Sequence, residues 1–106
     1  MDNKIKSLVN RIREHLDKIY GEKIKKFILY GSYARGEFTK DSDIDILVLV
    51  DDSLSPFEIR KSLSDVIFDI LMEDGELFSV VALPESFFEN HHYPFILNVR
   101  KEGIIM

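Results

Sequence analysis

The sequence predicts an α+β fold, a small mixed β-sheet flanked by helices. Three observations carry that expectation. Segments with helical spacing alternate with short runs of β-forming residues. The run Ile44 to Val50 is apolar enough to be buried on both faces, which makes it a central strand. The chain of 106 residues is long enough to build one core without disulfide or metal staples.

The elements follow in order. From Asn3 to Tyr20 the apolar residues Ile5, Leu8, Val9, Ile12, Leu16, Ile19 and Tyr20 recur every three or four positions and trace one face of a helix. Gly21 stands where a left-handed cap would end it. Ile24 to Tyr30 is short and rich in β-formers, a strand that stops at Gly31, and Ser32 starts a short helix. After a polar stretch comes the Ile44 to Val50 strand. Ser55, Pro56 and Glu58 then form an N-terminal capping signal. Phe57, Leu63, Val66, Ile67, Ile70 and Leu71 carry helical periodicity from there to Glu73. Asp74-Gly75 is a turn, and Leu77 to Leu83 is a third strand stopped by Pro84. Two short helices, Glu85 to Asn90 and Pro94 to Glu102, lead to Gly103. No repeat, low-complexity segment or linker interrupts residues 1–106, which read as a single domain.

Composition narrows the function classes. The longest apolar run is five residues, Ile46 to Val50, far short of the ~20 that span a bilayer. The charged N-terminal stretch lacks the apolar centre of a signal peptide. The absence of cysteine removes disulfides, thiolate metal sites and Cys nucleophiles. Together these features fit a cytoplasmic protein with no membrane association. The net charge of −5 disfavours nucleic acid as the main partner, because neutralising phosphates drives much of that affinity. Lys23, Lys25 and Lys26 offer a local basic patch, which reads better as a solvated strand entrance. A nucleotide remains compatible with the charge, since its phosphates can arrive with a metal.

The segment richest in chemistry runs Tyr30-Gly31-Ser32-Tyr33-Ala34-Arg35-Gly36-Glu37, followed by Asp41-Ser42-Asp43-Ile44-Asp45. Asp43 and Asp45 are two apart, so on a strand both leave the same face with α-carbons roughly 6.5 Å apart. Two converging carboxylates need a counter-charge, which a divalent, oxygen-preferring ion such as Mg²⁺ supplies while keeping waters and substrate phosphates as further ligands. A solvated acidic strand entrance is the alternative. Gly31 permits close backbone approach, and Ser32 at a helix start offers N–H groups and a hydroxyl to a phosphate. An ordinary N-cap with a turn glycine would look the same in isolation. The succession of strand, Gly-Ser, short helix and Asp-x-Asp on the next strand is more specific, because it sets a phosphate holder beside a metal holder.

Gly31-Ser32, ten intervening residues and Asp43-Ile44-Asp45 resemble the signature of the DNA polymerase β-type nucleotidyltransferases. The longer string, through Ser42-Asp43-Ile44-Asp45-Ile46-Leu47-Val48, is similar to the minimal nucleotidyltransferases of bacteria and archaea. The resemblance implies the nucleotidyltransferase fold and a two-metal, Mg²⁺-dependent transfer of a nucleoside monophosphate from an NTP, ATP in the first instance. It implies that Gly31 and Ser32 hold the triphosphate and that Asp43 and Asp45 ligate the metal as the catalytic pair. Arg35 can reach a phosphate or can pair with Glu37. The resemblance also implies a small helical HEPN-type partner protein in a toxin–antitoxin system as acceptor, with a homodimer through the aromatic tail as the apo state.

One position departs from the family pattern. A third carboxylate is usual on the following strand, and the matching residue here is Ser79, which is a poor metal ligand and no base at neutral pH. Glu76 is three residues away and should face the opposite side. A regulatory or antitoxin subunit that binds nucleotide without turnover is therefore the alternative to an enzyme. Asp41 reads as a loop carboxylate and Ser42 as a turn former. His15 sits at the boundary of the first helix, and His91-His92 is a solvent-facing pair. Phe87, Phe88, Tyr93, Phe95 and Ile96 divide between core packing and a partner surface.

Overall fold

A computed structural model describes residues 3–106. It is a mixed four-stranded sheet with helices on both faces. The elements are α1 (Asn3–Tyr20), β1 (Ile24–Tyr30), α2 (Gly31–Arg35), β2 (Ile44–Val50), α3 (Pro56–Ser62), α4 (Ser64–Asp74), β3 (Phe78–Pro84), α5 (Glu85–Asn90), α6 (Pro94–Glu102) and β4 (Ile104–Ile105). The sheet order is β3-β2-β1-β4, antiparallel except for the parallel β2/β3 pair. As its composition predicts, β2 is interior, and Leu47, Val48 and Val50 are fully buried.

Strand alternation divides the core in two. Phe27 and Leu29 of β1, Ile44, Ile46, Val48 and Val50 of β2, and Phe78, Val80 and Ala82 of β3 face one side. There α1 lays down the stripe Ile5, Leu8, Val9, Ile12 and Leu16, joined by Ile59, Leu63 and Ile70. The opposite face carries Ile28, Leu47 and Leu49 under Phe88 of α5 and Ile96 and Val99 of α6. Burying each of the larger of these side chains contributes roughly 1.5–3 kcal/mol, which fixes strand register on both faces.

Four features differ from the sequence expectation. The predicted helix from Pro56 to Glu73 is broken at Leu63, so it forms α3 and α4. Leu63 is completely buried and its N–H bonds the Arg60 carbonyl at 3.2 Å, a tight final turn that frees the Ser62 carbonyl. A His15 ring nitrogen meets that carbonyl at 2.8 Å, so the helix end is satisfied by α1. Second, Gly21 takes the expected positive φ of 58°, but the chain tightens into a short 3₁₀ turn at Gly21–Lys23 before β1. Third, the residues after Gly103 form β4, where Ile104 and Ile105 pair with Leu29 and Ile28 at the outer edge of β1. The third strand runs Phe78–Pro84, one residue later than predicted. No helix among the described residues is long and apolar enough to cross a membrane.

Candidate active site

On the sheet face covered by α5 and α6, Phe95 of α6 packs edge-on against Tyr30, whereas Asp45 and Ser79 are half-buried and Asp43 is exposed. Across the sheet, Tyr30 of β1 stands opposite Asp45 of β2, and Asp45 stands opposite Ser79 of β3. The next row inward, Ile28, Leu47 and Val81, is apolar. Asp45 therefore sits where the hydrophobic face gives way to solvent. Burial raises its carboxyl above the ordinary range, the neighbouring Asp43 raises it further, and Arg35 partly offsets both. The Tyr30 phenol is pushed up to about 12, first by burial and then by Asp45, so it stays protonated. Asp43 lies one residue before β2, and the adjoining Ile44 N–H donates to the Leu77 carbonyl at 2.8 Å, tying this end of β2 to the start of β3.

Gly31 follows β1 directly with φ 74°, in the left-handed region that favours glycine. A Cβ there would run into the Asp45 carboxylate. The glycine is thus required twice, for its dihedral and for the approach of Asp45. Ser32, half-buried, is the next residue of α2, and its carbonyl accepts the Glu37 N–H at 2.9 Å beyond Gly36. In the loop that follows, Ser42 Oγ accepts the Thr39 N–H at 2.9 Å, the turn-forming role expected of it, while Asp41 is exposed.

The structure brings Gly31 and Asp45 into contact and puts Arg35 within electrostatic reach of Asp45. Arg35 has two carboxylate partners. Its Nε lies 3.5 Å from Glu37, the local pair foreseen from spacing, and its Nη1 lies 3.2 Å from both oxygens of Glu102. Glu102 Oε1 also accepts the Gly31 N–H at 3.3 Å. Sequence reasoning missed Glu102, because nothing local connects the end of α6 with a loop 67 to 71 residues earlier.

Ser79 occupies the β3 position opposite Asp45, as the motif comparison predicts. Glu76 turns elsewhere, accepting the Tyr33 hydroxyl at 3.2 Å and pairing with Lys4 at 3.7 Å. His91 stacks on Phe87 at 4.0 Å and a ring nitrogen meets the Phe87 carbonyl. Among the described residues no group of three or more His, Cys, Asp or Glu side chains is arranged to hold a metal. The acidic pair Asp43/Asp45 remains a two-carboxylate donor set, which suits an ion that keeps waters and substrate oxygens. Asp43 and Ser79 also line an open groove of about 710 Å³, shared with Phe57, Arg60 and Lys61 of α3 and Ile67 of α4.

The chain is similar to known proteins along nearly its whole length. The chain is 33% identical over 103 residues to "Putative protein adenylyltransferase MJ0604" of Methanocaldococcus jannaschii, covering 96% of this chain and 93% of that one. It is 35% identical over 105 residues to "Putative protein adenylyltransferase MJ0126" of the same organism, covering 97% and 94%. Its fold resembles a chain in the "Crystal structure of the toxin-antitoxin with AMP-PNP", with a TM-score of 0.61 at 22% identity, covering 91% of this chain and 69% of that one. The nucleotidyltransferase domain profile matches residues 9–102, from within α1 to the end of α6, and the chain belongs to that family of transferases.

Proposed function

We propose that the chain transfers AMP from ATP to a side-chain hydroxyl of a partner protein in a Mg²⁺-dependent reaction. The observation that carries this reading is the contact of Gly31 with Asp45, which sets a main-chain donor and Ser32 beside the Asp43/Asp45 pair at that edge of the sheet face. Gly31 and Ser32 hold the triphosphate, Arg35 offers it a guanidinium, and Asp43 and Asp45 hold the metal. The donor set fits Mg²⁺, because Asp43 and Asp45 are neighbouring carboxylates, and the Asp45 carboxyl, raised first by burial and then by Asp43, is one that a bound cation would hold ionised. When bound, Mg²⁺ supplies charge neutralisation at the phosphoryl oxygens. The acceptor oxygen bonds to the α-phosphorus, the bond to the pyrophosphate oxygen breaks, and the hydroxyl proton leaves to solvent.

A protein acceptor is favoured by three facts. Relatives of nearly the same length carry protein adenylyltransferase names. The groove at Asp43 and Ser79 is open, so a second surface can close over it and exclude water. Phe57, Phe68 and Met72 on α3 and α4, and Tyr93 and Leu97 in the tail, are exposed apolar side chains suited to contact. A toxin–antitoxin setting, with a HEPN-type helical protein as partner and a homodimer in its absence, follows from the same resemblance, and the site's small sheet suits it. Ser79 favours one further reading, a nucleotide-binding antitoxin that neutralises its partner by association alone, because no carboxylate stands opposite Asp45 to activate an acceptor.

Incubation with ATP labelled at the α-phosphate, Mg²⁺ and a HEPN-type partner protein separates the two. Label on the partner that disappears in Asp45→Ala supports transfer. Stable association without label, from an intact chain that binds ATP, assigns the chain to binding alone.

A further inference from the structure

Two of the donors assigned above to the triphosphate are already occupied by the protein itself. Glu102, the last residue of α6, accepts the Gly31 N–H through Oε1 at 3.3 Å and receives Arg35 Nη1 on both oxygens at 3.2 Å. Arg35 is the sole cation of α2. The backbone that carries this carboxylate is held in place by the residues that follow it. The Gly103 N–H donates to the Val99 carbonyl at 2.7 Å, Ile104 and Ile105 pair with β1, and the Met106 N–H donates to the Phe27 carbonyl at 2.9 Å. Arg13 Nη2 donates to the Met106 carbonyl at 2.6 Å. The backbone at Glu102 is therefore anchored, while its side chain is 24% exposed and can rotate into water.

We infer that Glu102 is a resident competitor for the polyphosphate of the nucleotide, a carboxylate that must swing out before phosphate oxygens can take the Gly31 N–H and Arg35. The inference rests on the nucleotide reading above and specifies what limits loading at that site. Carboxylate and phosphate present the same chemistry to these donors, two or more anionic oxygens able to accept from an N–H and a guanidinium at once. They cannot both be satisfied by one N–H and one guanidinium edge, and side by side they repel. Nucleotide affinity is consequently lower than the bare donors would give. The displaced carboxylate loses little, since it enters solvent and does not become a buried unpaired charge.

The test uses the intact chain and three ligands, Mg²⁺-ATP, inorganic tripolyphosphate and adenosine, measured by calorimetry on the natural protein, Glu102→Gln and Glu102→Ser. Glutamine keeps the shape and an acceptor for Gly31 but removes the charge, and serine cannot reach Arg35. Competition predicts that both variants bind Mg²⁺-ATP and tripolyphosphate about fivefold more tightly, the scale of a partly exposed ion pair. Adenosine, which has no phosphate, shows no gain. A merely structural tie between α6 and α2 predicts equal or weaker binding of all three ligands, and that result overturns the inference while leaving nucleotide binding in place. If none of the three proteins binds ATP or tripolyphosphate, the nucleotide reading fails and takes this inference with it.

Discussion

At Gly31 two constraints coincide on one residue. A side chain there would meet a backbone dihedral suited to glycine and the Asp45 carboxylate at the same time. Gly31→Ala should therefore cost about 1–3 kcal/mol in urea unfolding and also weaken Mg²⁺-ATP binding, because relief of the clash displaces Asp45. Unchanged stability would contradict the contact. Asp45 offers a second prediction. Its carboxyl is raised above the ordinary 3.8, chiefly by burial and then by Asp43, so the folded chain retains a proton that the unfolded chain has released. Stability is thus lost as pH rises from 3.8 through the raised value. Asp45→Asn removes that loss, and its melting temperature should gain on the natural chain across this window and then hold its lead. Adding Mg²⁺ at neutral pH should raise the melting temperature of the natural chain alone. Parallel melting curves across the window would refute the electrostatic account of this site.

Among the elements, those with strong local signals are the ones the sequence disclosed. The apolar stripe of α1, the apolar β2 and the Ser55 cap of α3 each rest on neighbours in sequence. Ser55 Oγ accepts the Glu58 N–H at 3.3 Å, so Ser55→Ala should cost about 1 kcal/mol in chemical unfolding without changing nucleotide affinity. A joint loss of binding would show that α3 is coupled to the site. The break at Leu63 was hidden because Ile59, Leu63 and Ile70 serve one buried face on both sides of it, and periodicity runs through unbroken. The Ser62 carbonyl at the break is met by His15, a partner 47 residues away that no local pattern reveals. The edge strand β4 is only two residues long, too short for any alternation to register, and exists through its pairing with β1. For the candidate site, the motif from Gly31 to Asp45 was legible because its spacing is local. Glu102 was not, because only the folded sheet brings the end of α6 to α2.

Over the whole molecule, the sheet sets one face of packed core against another covered by α5 and α6, which reach Tyr30 through Phe95 but leave Asp43 exposed and Asp45 and Ser79 half-buried. That edge is where ligand chemistry can be added without dismantling the core. Ser79, level with Asp45, is the position where the family resemblance expects a third carboxylate. Ser79→Asp should tighten Mg²⁺-ATP binding about tenfold, equivalent to ~1.4 kcal/mol, with no change expected for adenosine. An unchanged affinity would mean that Ser79 does not face the metal position. Gly31, Ser32, Asp43 and Asp45 together form the proposed magnesium-dependent nucleotide site. Calorimetric titration of ATP into the natural chain and into the Asp43→Ala/Asp45→Ala double variant, each with and without Mg²⁺, addresses it most directly. Saturable binding that requires both Mg²⁺ and the two aspartates is expected; binding that ignores the metal, or that survives the double substitution, rules the site out.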